Sequence, residues 1–168
     1  MSPRRLIPLI PAFVVLVLAA CGTPGSVAPG ATEPAVRSKA GTPSAVIPLQ
    51  GGGTRWQYSG QPFNQLVWNI DFDASGKVVR TEQMMSDTAF AKIRSGQDSR
   101  LDVLRDFGPP AEAFSFPLKN ETAYMYRYFD DAGWYAAMFV YFNPAGIVTR
   151  TETGMDPWRL RGGDGGRQ

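Results

Sequence analysis

Asp71-Phe72-Asp73-Ala74-Ser75-Gly76-Lys77-Val78-Val79-Arg80-Thr81-Glu82 returns seventy residues later as Tyr141-Phe142-Asn143-Pro144-Ala145-Gly146-Ile147-Val148-Thr149-Arg150-Thr151-Glu152. Phe, Gly, Val and the closing Arg-Thr-Glu coincide. The same offset carries Trp56-Gln57-Tyr58 onto Tyr126-Arg127-Tyr128, and an offset of 67 carries Val36 and Gly41 onto Val103 and Gly108. Three matches in order, separated by one loop of different length, read as a duplicated unit.

Each copy follows one plan. A helix opens at a capping residue, Thr32 or Ser99, the latter with Asp102 placed for a capping box. It stops at Gly41 or Gly108, each followed within two residues by Pro. A loop follows, then three strands. The first contains Trp56 and Tyr58, or Tyr124, Tyr126 and Tyr128. The second alternates in copy one, with Leu66, Trp68, Ile70 and Phe72 on one face and Val67, Asn69 and Asp71 on the other. A Gly turn (Asp73 to Gly76, Asn143 to Gly146) leads into the third. Asp87 to Arg94 reads as a short helix between the copies, with Phe90 and Ile93 as its apolar contacts. The expected fold class is α+β, with two tandem α-β-β-β units forming one antiparallel sheet and helices packed on one face. Unit 1 spans residues 32–86 and unit 2 residues 87–160.

Outside the units, Arg4 and Arg5 precede an apolar run from Ala12 to Ala20, too short for a membrane-spanning helix of about 20 residues. Residues 1–20 therefore read as a secretion signal. Leu18-Ala19-Ala20-Cys21 resembles the lipobox of bacterial lipoproteins, which makes Cys21, the chain's only cysteine, the lipid attachment site. Residues 21–31, rich in Gly and Pro, read as a lipidated flexible tether reaching at most about 30 Å. Residues 161–168 read as a disordered tail.

The chain has 17 Lys and Arg against 15 Asp and Glu, and losing Arg4 and Arg5 with the signal leaves 15 against 15. No basic field remains to hold nucleic acid. With no His and its one Cys acylated, the mature chain lacks a His base, a thiol nucleophile and a His/Cys zinc site. No enzyme, no metal, no small-molecule substrate and no cofactor beyond the covalent lipid, palmitate included, are expected.

Phe90-Ala91-Lys92-Ile93-Arg94-Ser95-Gly96, then Ser99, Val103 and Gly108-Pro109-Pro110, resembles the BamE (SmpA/OmlA) family of outer-membrane assembly-factor lipoproteins. That family's signature runs Ile-x-x-Gly-Met-Thr, a Val four residues on, Leu-Gly-x-Pro, a Trp/Tyr strand and a strand pair joined by a Gly turn. Val103, Gly108, Pro110, Tyr126, Tyr128, Phe142 and Gly146 occupy matching positions. Thr32, Val36, Gly41, Pro43, Trp56, Phe72 and Gly76 do so in copy one. Gln97-Asp98 replaces a single Met, and Phe107 stands where Leu is usual. The tandem form is similar to the superfamily that includes β-lactamase inhibitory protein, a two-unit binder of another protein. The resemblance implies a periplasm-facing lipoprotein of the outer membrane that binds an envelope protein, in β-barrel assembly or envelope maintenance. An inhibitor or regulator of a periplasmic enzyme is the alternative, and a structural lipoprotein touching peptidoglycan a further one.

Other motifs read as turns and surface pairs. Asp71-x-Asp73-x-Ser75-Gly76-x5-Glu82 fits an EF-hand loop, but strands rather than helices flank it, and the aligned copy replaces its carboxylates with Tyr141 and Asn143. Asp130-Asp131-Ala132-Gly133 is turn chemistry. Asn120-Glu121-Thr122 fits a glycosylation sequon with no reason for use in a bacterium. The informative asymmetry is in the second strand. Copy two turns Ala136, Met138, Val140 and Phe142 toward the helices, leaving Tyr135, Ala137, Phe139 and Tyr141 opposite, with Met125, Arg127 and Phe129 on that same outer face. A row of Tyr, Phe and Arg has the composition of a protein interface, so Met125, Arg127, Phe129, Tyr135, Phe139 and Tyr141 are the candidate protein-binding residues. Either the face is open, or the C-terminal segment with Trp158 and Leu160 folds over it. One consequence is directly testable at the other end of the chain. Cys21→Ser is expected to leave the protein unlipidated and released from membrane fractions, and sedimentation of that variant with outer membrane would contradict the anchor.

Overall fold

The computed structural model describes residues 22–162; the expected signal, Cys21, and residues 163–168 of the expected tail lie outside the described residues. The order is α1 (Glu33–Ala40), β1 (Ala45–Pro48), β2 (Thr54–Ser59), β3 (Val67–Phe72), β4 (Val78–Gln83), α2 (Asp87–Phe90), α3 (Arg100–Phe107), β5 (Glu112–Phe116), β6 (Glu121–Phe129), β7 (Tyr135–Phe142), β8 (Val148–Met155) and α4 (Pro157–Gly162). The strands form two four-stranded antiparallel sheets, β1-β2-β3-β4 and β5-β6-β7-β8, each in chain order. The fold is α+β.

Three expectations change. There are two sheets where one was expected, and each has four strands rather than three. The loops after Gly41 and Gly108 contain the extra edge strands β1 and β5, short segments beside prolines that pair with β2 and β6. The helix expected over Asp87 to Arg94 ends at Phe90, and residues 161–162 of the expected tail close α4.

The cap signals behave as their chemistry requires. Ser99 accepts from Asp102 N while the Asp102 carboxylate accepts from Ser99 N, a complete capping box. Thr32 makes no such side-chain bond ahead of α1. Each hairpin turn has the same form: Asp73 N donates to Lys77 O and Asn143 N to Ile147 O, with Gly76 and Gly146 at positive φ. The strand pair breaks register between Asp71 and Phe72 and again between Tyr141 and Phe142. Thr32 bridges Lys77 ahead of α1, and Ser99 bridges Ile147 ahead of α3.

Two apolar clusters result. Val36 of α1 packs with Trp56, Ile70, Phe72 and Val78 on one face of the first sheet. Val103 and Phe107 of α3 pack with Tyr126, Tyr128, Met138, Val140 and Phe142 on the inner face of the second. Phe90 stacks on Phe107 at 4.9 Å and stands edge-on to Tyr128 at 5.0 Å, pairs worth about 0.5–1.5 kcal/mol beyond burial.

The other face of the first sheet is polar, and the sequence reading turned its Asn69 and Asp71 outward. Both are buried, at 2% and 5% exposure, with Arg55 and Gln57 beside them. Their partner is the last turn of α3. Arg55 Nε and Nη2 donate to the two oxygens of Asp71, and its Nη1 donates to Asp106 Oδ1 at 2.7 Å. Gln57 Nε2 donates to Arg105 O and Asn69 Nδ2 to Asp106 O. A helix end leaves its last carbonyls without donors, and here the first sheet supplies them. So α3 lies between the two sheets rather than on one shared face. Gly108 follows at φ 75°, where a Cβ would come within 2.9 Å of Gln57.

The expected tether is also different. Residues 22–31 lie on the domain: Pro24–Ser26 form a 3-10 turn, Val27 is buried in the first cluster, and Gly30 N donates to Val78 O at 2.7 Å. Gly25 sits on the Trp68 indole so closely that a Cβ would be 2.5 Å from the ring. Among the described residues no helix is long and apolar enough to cross a membrane.

Burial opposes both charges of the Arg55–Asp71 pair, but their mutual hydrogen bonds and attraction prevail, with Arg80 adding at Asp71 and Asp106 at Arg55: Asp71 is held below the usual carboxylate range and Arg55 above its own. A carboxylate with a lowered native pKa contributes stability that is fully present above the ordinary carboxylate pKa and is lost as the pH falls through the native value. Asp71→Asn is expected to cost about 3 kcal/mol at neutral pH by removing one of the two carboxylates that neutralise the buried Arg55 guanidinium, and to narrow the stability difference from the native chain below pH 4. Denaturant melts at pH 7 and pH 3 check both.

Candidate protein interface on the second sheet

The register of the second sheet decides what its outer face presents. Phe114, Ala123, Tyr141 and Arg150 form one cross-strand row; Glu112, Met125, Phe139 and Glu152 form the next; Arg127 and Ala137 follow, then Phe129 opposite Tyr135. The six candidate residues therefore do share one face. They are not equally available. Met125 is fully buried and Arg127 only 6% exposed, so neither can meet a partner directly. Phe139 and Tyr141 are half-buried, while Phe129 and Tyr135 are exposed.

The reason is the C-terminal segment, which folds back across the sheet. Asp156, wholly buried, takes Arg127 Nε and Nη2 on one carboxylate oxygen at 2.8 Å. Trp158 stacks on the Arg127 guanidinium at 4.5 Å, and its indole N–H donates to Glu112 on the far edge strand. Arg159 lies 3.7 Å from the Tyr135 ring centre. The strap thus runs from the end of β8 over the two central strands to β5. Arg127 is also fastened from the first half: its Nη1 donates to Pro62 O, and the Gln61 side-chain amide exchanges both hydrogen bonds with the Arg127 backbone beyond the end of β5. That amide occupies the edge of β6 as a further strand would.

The strap divides the outer face into two apolar patches. On one side Phe114 and Phe139 lie 6.3 Å apart and Phe116 and Tyr141 6.1 Å apart, next to Leu118, which has no cover at all. Arg150 rests 3.6 Å from the Tyr141 ring centre and is held by Glu121 and Glu152. Hydrogen bonds from Arg150 and from the Tyr141 hydroxyl keep Glu152 below its ordinary pKa, and burial followed by Glu152 raises that of Tyr141. On the other side of the strap are Phe129, Tyr135 and the turn residue Trp134, 74% exposed. Phe114, Phe116 and Leu118 lie in the stretch the sequence reads as loop; the alternation of Phe114 and Phe116 is the signal that marks β5.

The remaining motifs are turn and ion-pair chemistry. Asp73 Oδ1 accepts from Ser75 N and Lys77 N inside the hairpin turn, and Glu82 meets Arg80 and Lys92. Asp130 Oδ1 accepts from Ala132 N and Trp134 N. Among the described residues no cluster of three His, Cys, Asp or Glu side chains is placed to hold a metal ion. No protein-family model matches this chain, and no curated protein matches it either.

The Arg127–Asp156 pair generates a prediction about the strap. Asp156→Ala leaves a buried guanidinium without its counter-charge, and such losses cost about 3–5 kcal/mol. The expected result is a chain with lowered thermal stability and a Trp158 fluorescence shifted toward that of a water-exposed indole. An unshifted spectrum with an unchanged melt would mean the strap is held by other contacts.

Proposed function

We propose that this chain is a lipid-anchored protein of the bacterial outer membrane, facing the periplasm, whose second sheet binds another envelope protein in β-barrel assembly or envelope maintenance. The observation that carries the reading is the patch of Phe114, Phe116, Phe139, Tyr141 and Leu118 left uncovered by the strap. Half-buried aromatics with an adjoining Arg, in a patch rimmed by Glu121, Glu152 and Lys119, are the make-up of an interface core and its polar edge. The anchor is Cys21, as its sequence context implies.

The same reading takes residues 32–86 and 87–160 as two BamE-like units. In support, each half presents a helix followed by four antiparallel strands in chain order, the same Gly hairpin turn, a register break at the same place and a bridge from the helix cap to the residue after the turn. Duplication followed by divergence explains why the two sheets differ so much on one face: copy one keeps Arg55, Asn69 and Asp71 to hold α3, and copy two carries aromatics.

A photo-crosslinking residue at position 116 or 141 in the full-length lipoprotein, in intact cells, tests this. An adduct with an integral outer-membrane or β-barrel assembly protein is expected. An adduct with a soluble periplasmic enzyme would instead make the chain its inhibitor or regulator, and absence of any adduct would remove the interface. The double variant Phe116→Ser, Leu118→Ser, at two exposed positions, is expected to lose the adduct at position 141 while its stability changes by about 1 kcal/mol or less.

A further inference from the structure

An acyl anchor at Cys21 sets a geometric condition that the fold then has to meet. Consecutive Cα atoms are about 3.8 Å apart, and Gly22 is already on the domain, packed under the stem of Lys39, whose Nζ donates to Ser26 O at 2.5 Å. Thr23 and Pro24 line a groove together with Asn64 and Leu66 of the loop between β2 and β3, and with Tyr58 and Trp68. A lipid on Cys21 is therefore one residue from folded protein. The domain has no leash, and this end of it must lie against the surface in which the lipid is buried.

That end presents apolar side chains to solvent. Phe63, at the tip of the 60–66 loop, is 86% exposed, and Leu66 is 39% exposed. The loop is not loose: Gly60 N donates to Leu66 O, Asn64 Oδ1 accepts from Leu66 N, and Pro62 O takes Arg127 Nη1 at 2.6 Å. Two residues beyond Arg127, on the same face of β6, Phe129 packs at 4.7 Å against Tyr135 at the neck of the hairpin whose turn carries Trp134. A rigid loop that holds a phenylalanine almost wholly in water gains nothing in the folded monomer from that residue. Beside a bilayer the same ring gains an apolar environment, and Trp and Tyr are the side chains that settle at the headgroup level.

We propose that Phe63 and Leu66, with the Thr23–Pro24 segment beside the anchor, seat this protein against the phospholipid bilayer, Phe63 entering the headgroup and upper acyl region and Trp134 adjoining it. The inference rests on the lipoprotein reading and adds an orientation to it. With the Phe63 end on the membrane, the Phe116–Leu118 patch lies some 20 Å or more of strand away along β6, turned toward the periplasm where a partner can reach it. The seat and the partner patch are thereby separate surfaces.

The test uses the full-length lipoprotein in vesicles of phosphatidylethanolamine and phosphatidylglycerol carrying acyl-chain-brominated lipid as quencher. Because Cys21 is the chain's only cysteine, its acylation leaves Phe63→Cys, or Leu118→Cys as the distal control, as the sole free thiol for an apolar fluorophore. The seat requires strong quenching at position 63 and none at position 118. Quenching at both positions, or at neither while the protein remains bound to the vesicles, overturns the seat and leaves the anchor intact. Wild-type protein that floats free of the vesicles overturns the anchor and the seat together. The acyl-free variant Cys21→Ser in the Phe63→Cys background is expected to show no quenching at all, since one loop gives too little apolar area for stable membrane binding without a lipid.

Discussion

Arg55 is the residue on which the arrangement of the two halves depends. Its guanidinium lies between Asp71 on the neighbouring strand and Asp106 at the end of α3, with side chains of Arg55 and Asp71 at 7% and 8% exposure. A polar sheet face cannot be buried unless every donor and acceptor on it is matched, and the end of a helix has carbonyls that need donors. Each supplies what the other lacks. A cation beside the C-terminus of α3 also opposes the negative end of the helix dipole. The first sheet thus holds the helix on which the second sheet is packed, and Val67 of β3, with Met84 and Met85, is buried in the same cluster as Val103 and Phe107.

A similar logic of covering governs the outer face of the second sheet. Arg127 in the middle of an aromatic face would be an unpaired charge near apolar groups. Asp156 neutralises it, Trp158 stacks on it, and Pro62 and Gln61 hold it from the first half. This single Arg therefore joins the C-terminal strap, the second sheet and the 60–66 loop. The surface left over is not random: it consists of two aromatic patches on opposite sides of the strap, one at the β5 end and one at the β6–β7 turn. The strap keeps these two apolar surfaces apart.

The N-terminal segment has the opposite character to what its composition suggests. Glycine and proline lower the number of contacts a segment can make, and for that reason such stretches are commonly flexible. Here Gly25 allows the backbone to approach Trp68, and Val27 places one apolar side chain in the first cluster. One buried valine, a turn and two backbone hydrogen bonds with Val78 are enough to hold ten residues against the sheet.

Local chemistry alone determined much of this protein. The caps at Ser99 and Gly108, the Gly76 and Gly146 turns, the alternation of Val67 to Phe72 and the inward set Ala136, Met138, Val140 and Phe142 follow from periodicity and backbone preference, which act over a few residues. The repeat of Phe72–Glu82 at Phe142–Glu152 likewise marked the two Gly hairpin turns, each with a register break beside its Phe. What those signals cannot carry is the identity of the surface each face meets. Asn69 and Asp71 read as solvent-facing because a polar residue on an alternating strand is ordinarily wet, and only the approach of α3 from thirty-odd residues away turned them into a buried network. Arg127 and Met125 read as interface residues for the same reason, until the strap of Asp156 and Trp158 covered them. In each case the deciding contact is between segments distant in sequence, and tertiary structure is where such contacts are made.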